Sequence, residues 1–227
     1  MTVSAYADIV PFSMYRPAND VERVVKADVL PVSFDLRNNY VIPPVRHQYF
    51  WGTCWAFAVM ASNESNYLMQ VAAGPSNDFL NVKYAESMDL SEMHLAWYTF
   101  MSPERRQNFS VVNKKTRKLE EYPSAFQALK NGGWNVEAAA VLARGWGWGP
   151  IQEKDGLKYS DFTDVDNIET LAKNIAKSPD VYPSSLRLIE ASFMVTKYDS
   201  DGNLLFSTEA NRNRVKNMVM TKGGIAR

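Results

Sequence analysis

The segment Gln48-Tyr-Phe-Trp-Gly52-Thr-Cys54-Trp55-Ala56-Phe57 holds residue types that can open an acyl bond. Cys54 is the sole cysteine of the chain, and it opens a run of apolar residues that reads as a buried helix. A helix N-terminus favours negative charge, which favours the thiolate form of a cysteine placed there. Gln48, six residues earlier, can donate its carboxamide N–H to an oxyanion, and the backbone N–H of Cys54 can supply a second donor. A nucleophile with two oxyanion donors is the minimum set for acyl transfer from an amide. Gly52 is expected to let the backbone turn tightly into the helix. The bland alternative for Cys54, a small buried hydrophobe, would leave Gln48 without a purpose.

The elements that must position these residues follow from periodicity. Thr53–Met69 reads as a helix buried on all sides in its first half. Before it, Leu30–Arg46 carries Pro31, Pro43 and Pro44 among apolar residues and should run extended. Gly74–Asp78 reads as a loop, and Asp89-Leu-Ser-Glu92 as the start of a helix through Leu95, Trp97 and Phe100. Residues 102–119 are polar, with the basic run Asn113–Lys118, and read as a solvated loop. Short helices are expected over Ser124–Asn131 and Val136–Arg144, on either side of Gly132-Gly133. Phe193–Phe206 alternates around Asp201-Gly202 and reads as a β-hairpin, which also accounts for the acidic spacing at Asp199–Asn203 without a calcium ion. Arg212–Met220 is the last expected helix.

Composition narrows the function classes. Lys plus Arg and Asp plus Glu are both 25, so the formal charge is zero and gives no argument for nucleic acid as partner. One Cys excludes an intramolecular disulfide, and with two His a zinc site is not expected; no metal or cofactor is assigned. No apolar run reaches the roughly 20 residues of a membrane span. Ala5-Tyr6-Ala7 has the small-x-small pattern of a signal-peptidase site without a charged or apolar region before it. It reads as an ordinary terminus or as the stump of an export signal; the second reading gives a secreted or cell-surface protein.

Further segments strengthen the pattern around Cys54. Asp35-Leu-Arg37 lies 13 residues before Gln48, within reach of Pro44-Val-Arg-His-Gln48. Glu64 lies ten residues after Cys54, and Leu90-Ser-Glu92 with Leu95, Asn131-Gly-Gly-Trp134 and Gly149-Pro-Ile-Gln-Glu153 followed by Tyr159 come in order after it. Together these segments resemble the papain-like cysteine peptidase family, from about Leu30 to about Tyr159. The resemblance implies that Cys54 is the nucleophile and Gln48 the side-chain donor of the oxyanion hole. It implies that the backbone of Gly133 pairs with an extended peptide or protein substrate, where a side chain would obstruct approach, and that Gly132 shapes the same turn. Trp134 resembles the aromatic wall of the pocket for the apolar substrate residue; a core tryptophan is the other reading.

Three departures from the family pattern stand out. Trp51, Tyr98 and Lys130 occupy positions where many relatives carry half-cystines, which suits a disulfide-free bacterial branch. His47 stands where relatives often have Asn, and is expected at the surface; His94 is expected to face solvent from its helix. Finally, the family supplies a base His and an orienting Asn roughly 130–150 residues after the nucleophile, and no His follows His94. The expectation is therefore an α+β, papain-like two-lobe fold, with a helical left lobe and an incomplete β-rich right lobe. Residues 1–29 form an extended N-terminal arm and 30–227 the peptidase domain, incomplete at its C-terminal side. The function expected is peptide hydrolysis through a thioester, with this isolated chain inactive for want of its base. The competing reading is a non-catalytic peptide-binding relative or a gene fragment.

Overall fold

A computed structural model describes residues 3–11, 30–74, 81–100, 109–112, 119–122, 129–130, 132–133, 135–143, 149–163, 186–195 and 209–224. Strand β1 (Val3–Pro11) comes first. An extended stretch follows from Leu30, broken by a 3-10 turn at Leu36–Asn39 that Asp35 caps by accepting from the Arg37 amide. Helix α1 (Cys54–Ala72) is the longest element among the described residues. No Gly or Pro interrupts it, and Gly74 stands just beyond its end. The short helix α2 (Val82–Ser87) is started by Asn81, whose carboxamide oxygen accepts from the Tyr84 amide at 3.1 Å.

Helix α3 (Glu92–Phe100) begins where Ser91 Oγ accepts from the His94 amide at 2.9 Å. Strands β2 (Phe109–Val112) and β3 (Leu119–Tyr122) pair antiparallel, with Val112 opposite Leu119. The region expected as a solvated loop thus contains a strand, because four residues are too few for a period to be read before the partner is known. The basic run itself lies outside the described residues. Helix α4 (Asn135–Ala143) follows. Strand β4 (Leu186–Val195) and helix α5 (Glu209–Lys222) complete the described elements.

β4 pairs antiparallel with β1, from Val3 opposite Val195 to Pro11 opposite Leu186, with a register shift between Asp8 and Ile9. Ala5-Tyr6-Ala7 therefore sits within a strand. Of the expected Phe193–Phe206 hairpin, Phe193–Val195 belong to β4 and the remainder lies outside the described residues. Helices dominate, strands are few and antiparallel, and no helix is long and apolar enough to cross a membrane among the described residues.

The core forms around α1 and α3. Trp55, Ala56, Val59, Met60 and Leu68 of α1 pack with Met93, Leu95, Ala96 and Trp97 of α3, with Leu129, and with Ala138 and Leu142 of α4. Every residue of α3 from Glu92 to Tyr98 is buried. His94 is consequently 1% exposed and packs on the Tyr98 ring at 4.5 Å, which corrects the expectation of a solvent-facing histidine. Trp51 and Tyr98 are buried, so two of the three positions expected to have lost half-cystines fill the core with aromatic volume instead, while Lys130 is exposed.

α5 docks its C-terminus on the middle of α1. Gly223, at φ 87°, takes the left-handed conformation that ends a helix, and a Cβ there would meet Ser65 Oγ at 2.7 Å. The Gly224 amide donates to Ser65 Oγ at 2.8 Å, Ser62 Oγ donates to the Gly224 carbonyl at 2.7 Å, and Asn66 donates to the Lys222 carbonyl at 2.9 Å. These bonds give the buried Ser62, Ser65 and Asn66 partners inside the core.

Candidate active site

Cys54 is the first residue of α1 and is exposed. The loop before it is fixed at each step. The Gln48 carboxamide donates to the Trp51 carbonyl at 2.7 Å, which uses one of its two N–H groups and leaves the other. The Trp51 indole donates to the Phe162 carbonyl at 2.9 Å. The Gly52 amide donates to the Leu129 carbonyl at 2.9 Å.

Glycine is required at position 52 for space rather than for a left-handed turn. A Cβ there would lie 2.5 Å from the Lys130 carbonyl oxygen and 2.9 Å from both the Gly132 amide nitrogen and the Leu129 carbonyl oxygen. All three are main-chain atoms that cannot swing aside. The cysteine loop and the Gly132-Gly133 turn are therefore packed backbone to backbone. Gly132 has φ 87°, a conformation that favours glycine. A Cβ on Gly133 would meet the Trp55 ring at 2.5 Å, so its missing side chain is accounted for by packing on the residue next to Cys54. Both glycines are buried. Trp134 lies outside the described residues.

Thr53 holds the N-cap position of α1 but its hydroxyl does not cap the helix. It lies 2.7 Å from the Tyr159 phenol oxygen, and that oxygen lies 2.6 Å from the Gln48 carbonyl. A carbonyl can only accept, so the Tyr159 proton goes to Gln48 and Thr53 donates to Tyr159. Burial pushes the Tyr159 phenol up to about 12, which keeps it protonated as a donor. Its ring packs edge-on against Phe57 at 4.9 Å and beneath Tyr49 at 6.3 Å. Tyr49 sits at φ 54°, and its amide donates to His47 Nδ1 at 2.7 Å. His47 is exposed, as expected.

Residues 30–89 match the family described as Papain family cysteine protease. The matched stretch includes Gln48 and Cys54, and the match implies a papain-like fold. The chain is 36% identical over 67 residues to a viral cathepsin of Cydia pomonella granulosis virus (isolate Mexico/1963), an overlap covering 30% of this chain and 16% of that protein. It is 38% identical over 79 residues to cathepsin O of Mus musculus, covering 35% of this chain and 22% of that protein. The chain thus spans less than a quarter of the length of either curated relative. No solved structure matches it.

Two residues before Gln48, Arg46 enters a charged cluster. Its guanidinium donates to both oxygens of Glu64 at 2.8 and 3.0 Å, to Glu92 at 3.1 Å and to the Met88 carbonyl at 2.8 Å, and pairs with Asp89 at 3.0 Å. Glu64 also accepts from the Leu90 amide at 2.6 Å. One cation faces three carboxylates, and Glu64 and Glu92 are almost completely buried. Burial therefore pushes Glu64 up to about 8 and Glu92 up to about 7, against the pull of Arg46. These groups share protons as a set, and the upward direction belongs to the set. Glu92 Oε2 is buried without a hydrogen-bond partner, which adds to the cost of its ionised form. Among the described residues, Asp89, Glu92 and Glu153 bring carboxylate oxygens within 4.8 Å of one another, a spacing that could hold a cation. Arg46 already sits on two of them and supplies that positive charge.

Sequence reasoning found Arg46, Glu64, Glu92 and Tyr159 one by one, each inside a quoted segment. It missed that Arg46, Glu64 and Glu92 form one cluster and that Tyr159 reaches the Gln48–Cys54 loop. It missed Thr53 altogether, because a threonine before a helix reads as an ordinary cap.

Proposed function

We propose that this chain carries the nucleophile and oxyanion donors of a cysteine peptidase. Cys54 Sγ attacks the carbonyl carbon of an extended peptide, and the carbonyl oxygen takes negative charge between the Gln48 carboxamide and the Cys54 amide. The amine leaves with a proton, and water then hydrolyses the thioester to release the acid and restore the thiol. Gly132, Gly133 and Trp134 are the substrate side of the site. One observation carries this reading: an exposed sulfur at the start of a buried helix, with the Gln48 carboxamide oriented within the same loop.

The proton shuttle is a group other than the two histidines of this sequence. His47 accepts from the Tyr49 amide and His94 is buried against Tyr98. That observation also favours the second reading, a peptide-binding relative without turnover. We place residues 30–227 in one peptidase domain, with the single cysteine of the sequence supporting a disulfide-free branch such as the bacterial one.

The full chain incubated with an epoxide-type thiol inhibitor, and separately with a fluorogenic dipeptide, separates the readings. Labelling of Cys54 by mass spectrometry is expected, with none in Cys54→Ser. Labelling without turnover fits a nucleophile lacking its base. A Cys54 that reacts with iodoacetamide but never with the epoxide peptide mimic would leave the binding reading.

A further inference from the structure

The two oxyanion donors proposed above stand on residues 48 and 54, on opposite ends of a tight loop. A hole that is to receive a developing charge needs the separation of its donors fixed before the reaction, since donors that must first reorganise stabilise the charge poorly. In this molecule one oxygen atom crosses that loop. Tyr159 Oη donates to the main-chain carbonyl of Gln48 at 2.6 Å and accepts from Thr53 Oγ1 at 2.7 Å. One bond holds the residue that carries the carboxamide donor, and the other holds the residue immediately before the amide donor.

The phenol is itself anchored. The Tyr159 amide donates to Glu153 Oε1 at 2.7 Å, and the ring is gripped by Phe57 at 4.9 Å, from the first turn of α1. The 3-10 turn Tyr159–Phe162 that carries the phenol reaches the loop a second time, where the Phe162 carbonyl accepts from the Trp51 indole. Thr53 forgoes its helix cap to make the contact, leaving α1 without a side-chain cap at the end that carries Cys54.

We propose that Tyr159 is a positioning residue that sets the distance between the two oxyanion donors, with Thr53 as its partner. This rests on the peptidase reading of Gln48 and Cys54. It contacts neither substrate nor sulfur and acts through the chain at 48 and 53.

A peptide aldehyde tests it without needing turnover. Cys54 S–H adds across the aldehyde C=O: the S–C bond forms, the C=O π bond opens, and the thiol proton ends on the oxygen held in the hole. Alkylation by iodoacetamide uses the same sulfur but develops no such oxygen. In the full-length chain, Tyr159→Phe is expected to weaken binding of an N-acetylated dipeptide aldehyde about tenfold, the range for a lost hydrogen bond in a preorganised site. Its iodoacetamide rate at Cys54 should stay within about twofold, because the exposure of the sulfur is unchanged. Thr53→Val should weaken the aldehyde in the same direction and Thr53→Ser, which keeps the hydroxyl, should restore it. Thr53→Val also keeps the test open if Tyr159→Phe does not fold. Gln48→Ala separates the two claims. If Gln48→Ala weakens the aldehyde but Tyr159→Phe and Thr53→Val do not, the positioning role is overturned and the peptidase reading stands. If Gln48→Ala binds the aldehyde as the native chain does, the oxyanion reading falls and the positioning role with it.

Discussion

The first turn of α1 and its middle are held by opposite means. At the first turn, Cys54 is left exposed while its neighbours are immobilised: Gly52 against a backbone, Thr53 on a phenol, Trp55 under Gly133. The contacts are neutral and steric. In the middle, Ser62, Glu64, Ser65 and Asn66 are all buried; a guanidinium holds Glu64, and the polar backbone at the end of α5 holds the other three. A reactive side chain is kept available by rigid surroundings that do not bind it. A buried polar one is tolerated because something binds it directly.

Breaking the charged middle should have the largest effect. Arg46→Ala removes the cation facing Glu64, Glu92 and Asp89 and is expected to cost about 3–5 kcal/mol in a denaturant titration, as removal of one partner from a buried ion pair does. A loss under about 1 kcal/mol would show that the carboxyls are content without it. Breaking the steric first turn comes next. Gly52→Ala drives a Cβ into three main-chain atoms and should cost about 1–3 kcal/mol while slowing epoxide labelling of Cys54. Native stability in that variant would contradict the backbone-to-backbone contact.

Changing the pH sharpens the comparison further. Glu64 and Glu92 are raised to about 8 and about 7 from the ordinary 4.5, so the folded state holds protons that the unfolded chain has released. Their contribution to stability is fully present below pH 4.5 and is lost as pH rises through 7 to 8. Stability measured at pH 5 and pH 8 should fall with rising pH, and Glu64→Gln should flatten the slope. A slope of the opposite sign would mean that Arg46 keeps the cluster ionised.

Much of this was legible in the sequence. The unbroken apolar run from Trp55 gave α1 to within a few residues, and Ser91 marked the start of α3, because both signals are local. The match to the papain family cysteine protease over residues 30–89 agrees with the segments from Asp35 to Glu64 among those that carried the resemblance. What stayed hidden depends on partners far along the chain. β1 reads as a polar arm until β4, about 180 residues later, pairs with it. His94 reads as exposed until α3 is seen to be enclosed on every side. The sequence assigned Gly52 to a tight turn and Gly133 to substrate pairing, and no sequence shows that Lys130 and Trp55 occupy the space a side chain would need.

The hydrogen bond from Gly52 to Leu129 and the bond from Trp51 to Phe162 have a practical reach. Dissecting the protein at the limits of its family match would sever the loop from both of its outer supports. An excised piece ending at residue 89 would display its thiol on an unbraced chain, and whatever reactivity it then showed would describe a free peptide. A span that keeps both of these supports must run at least to residue 162, more than twice the length of the family match.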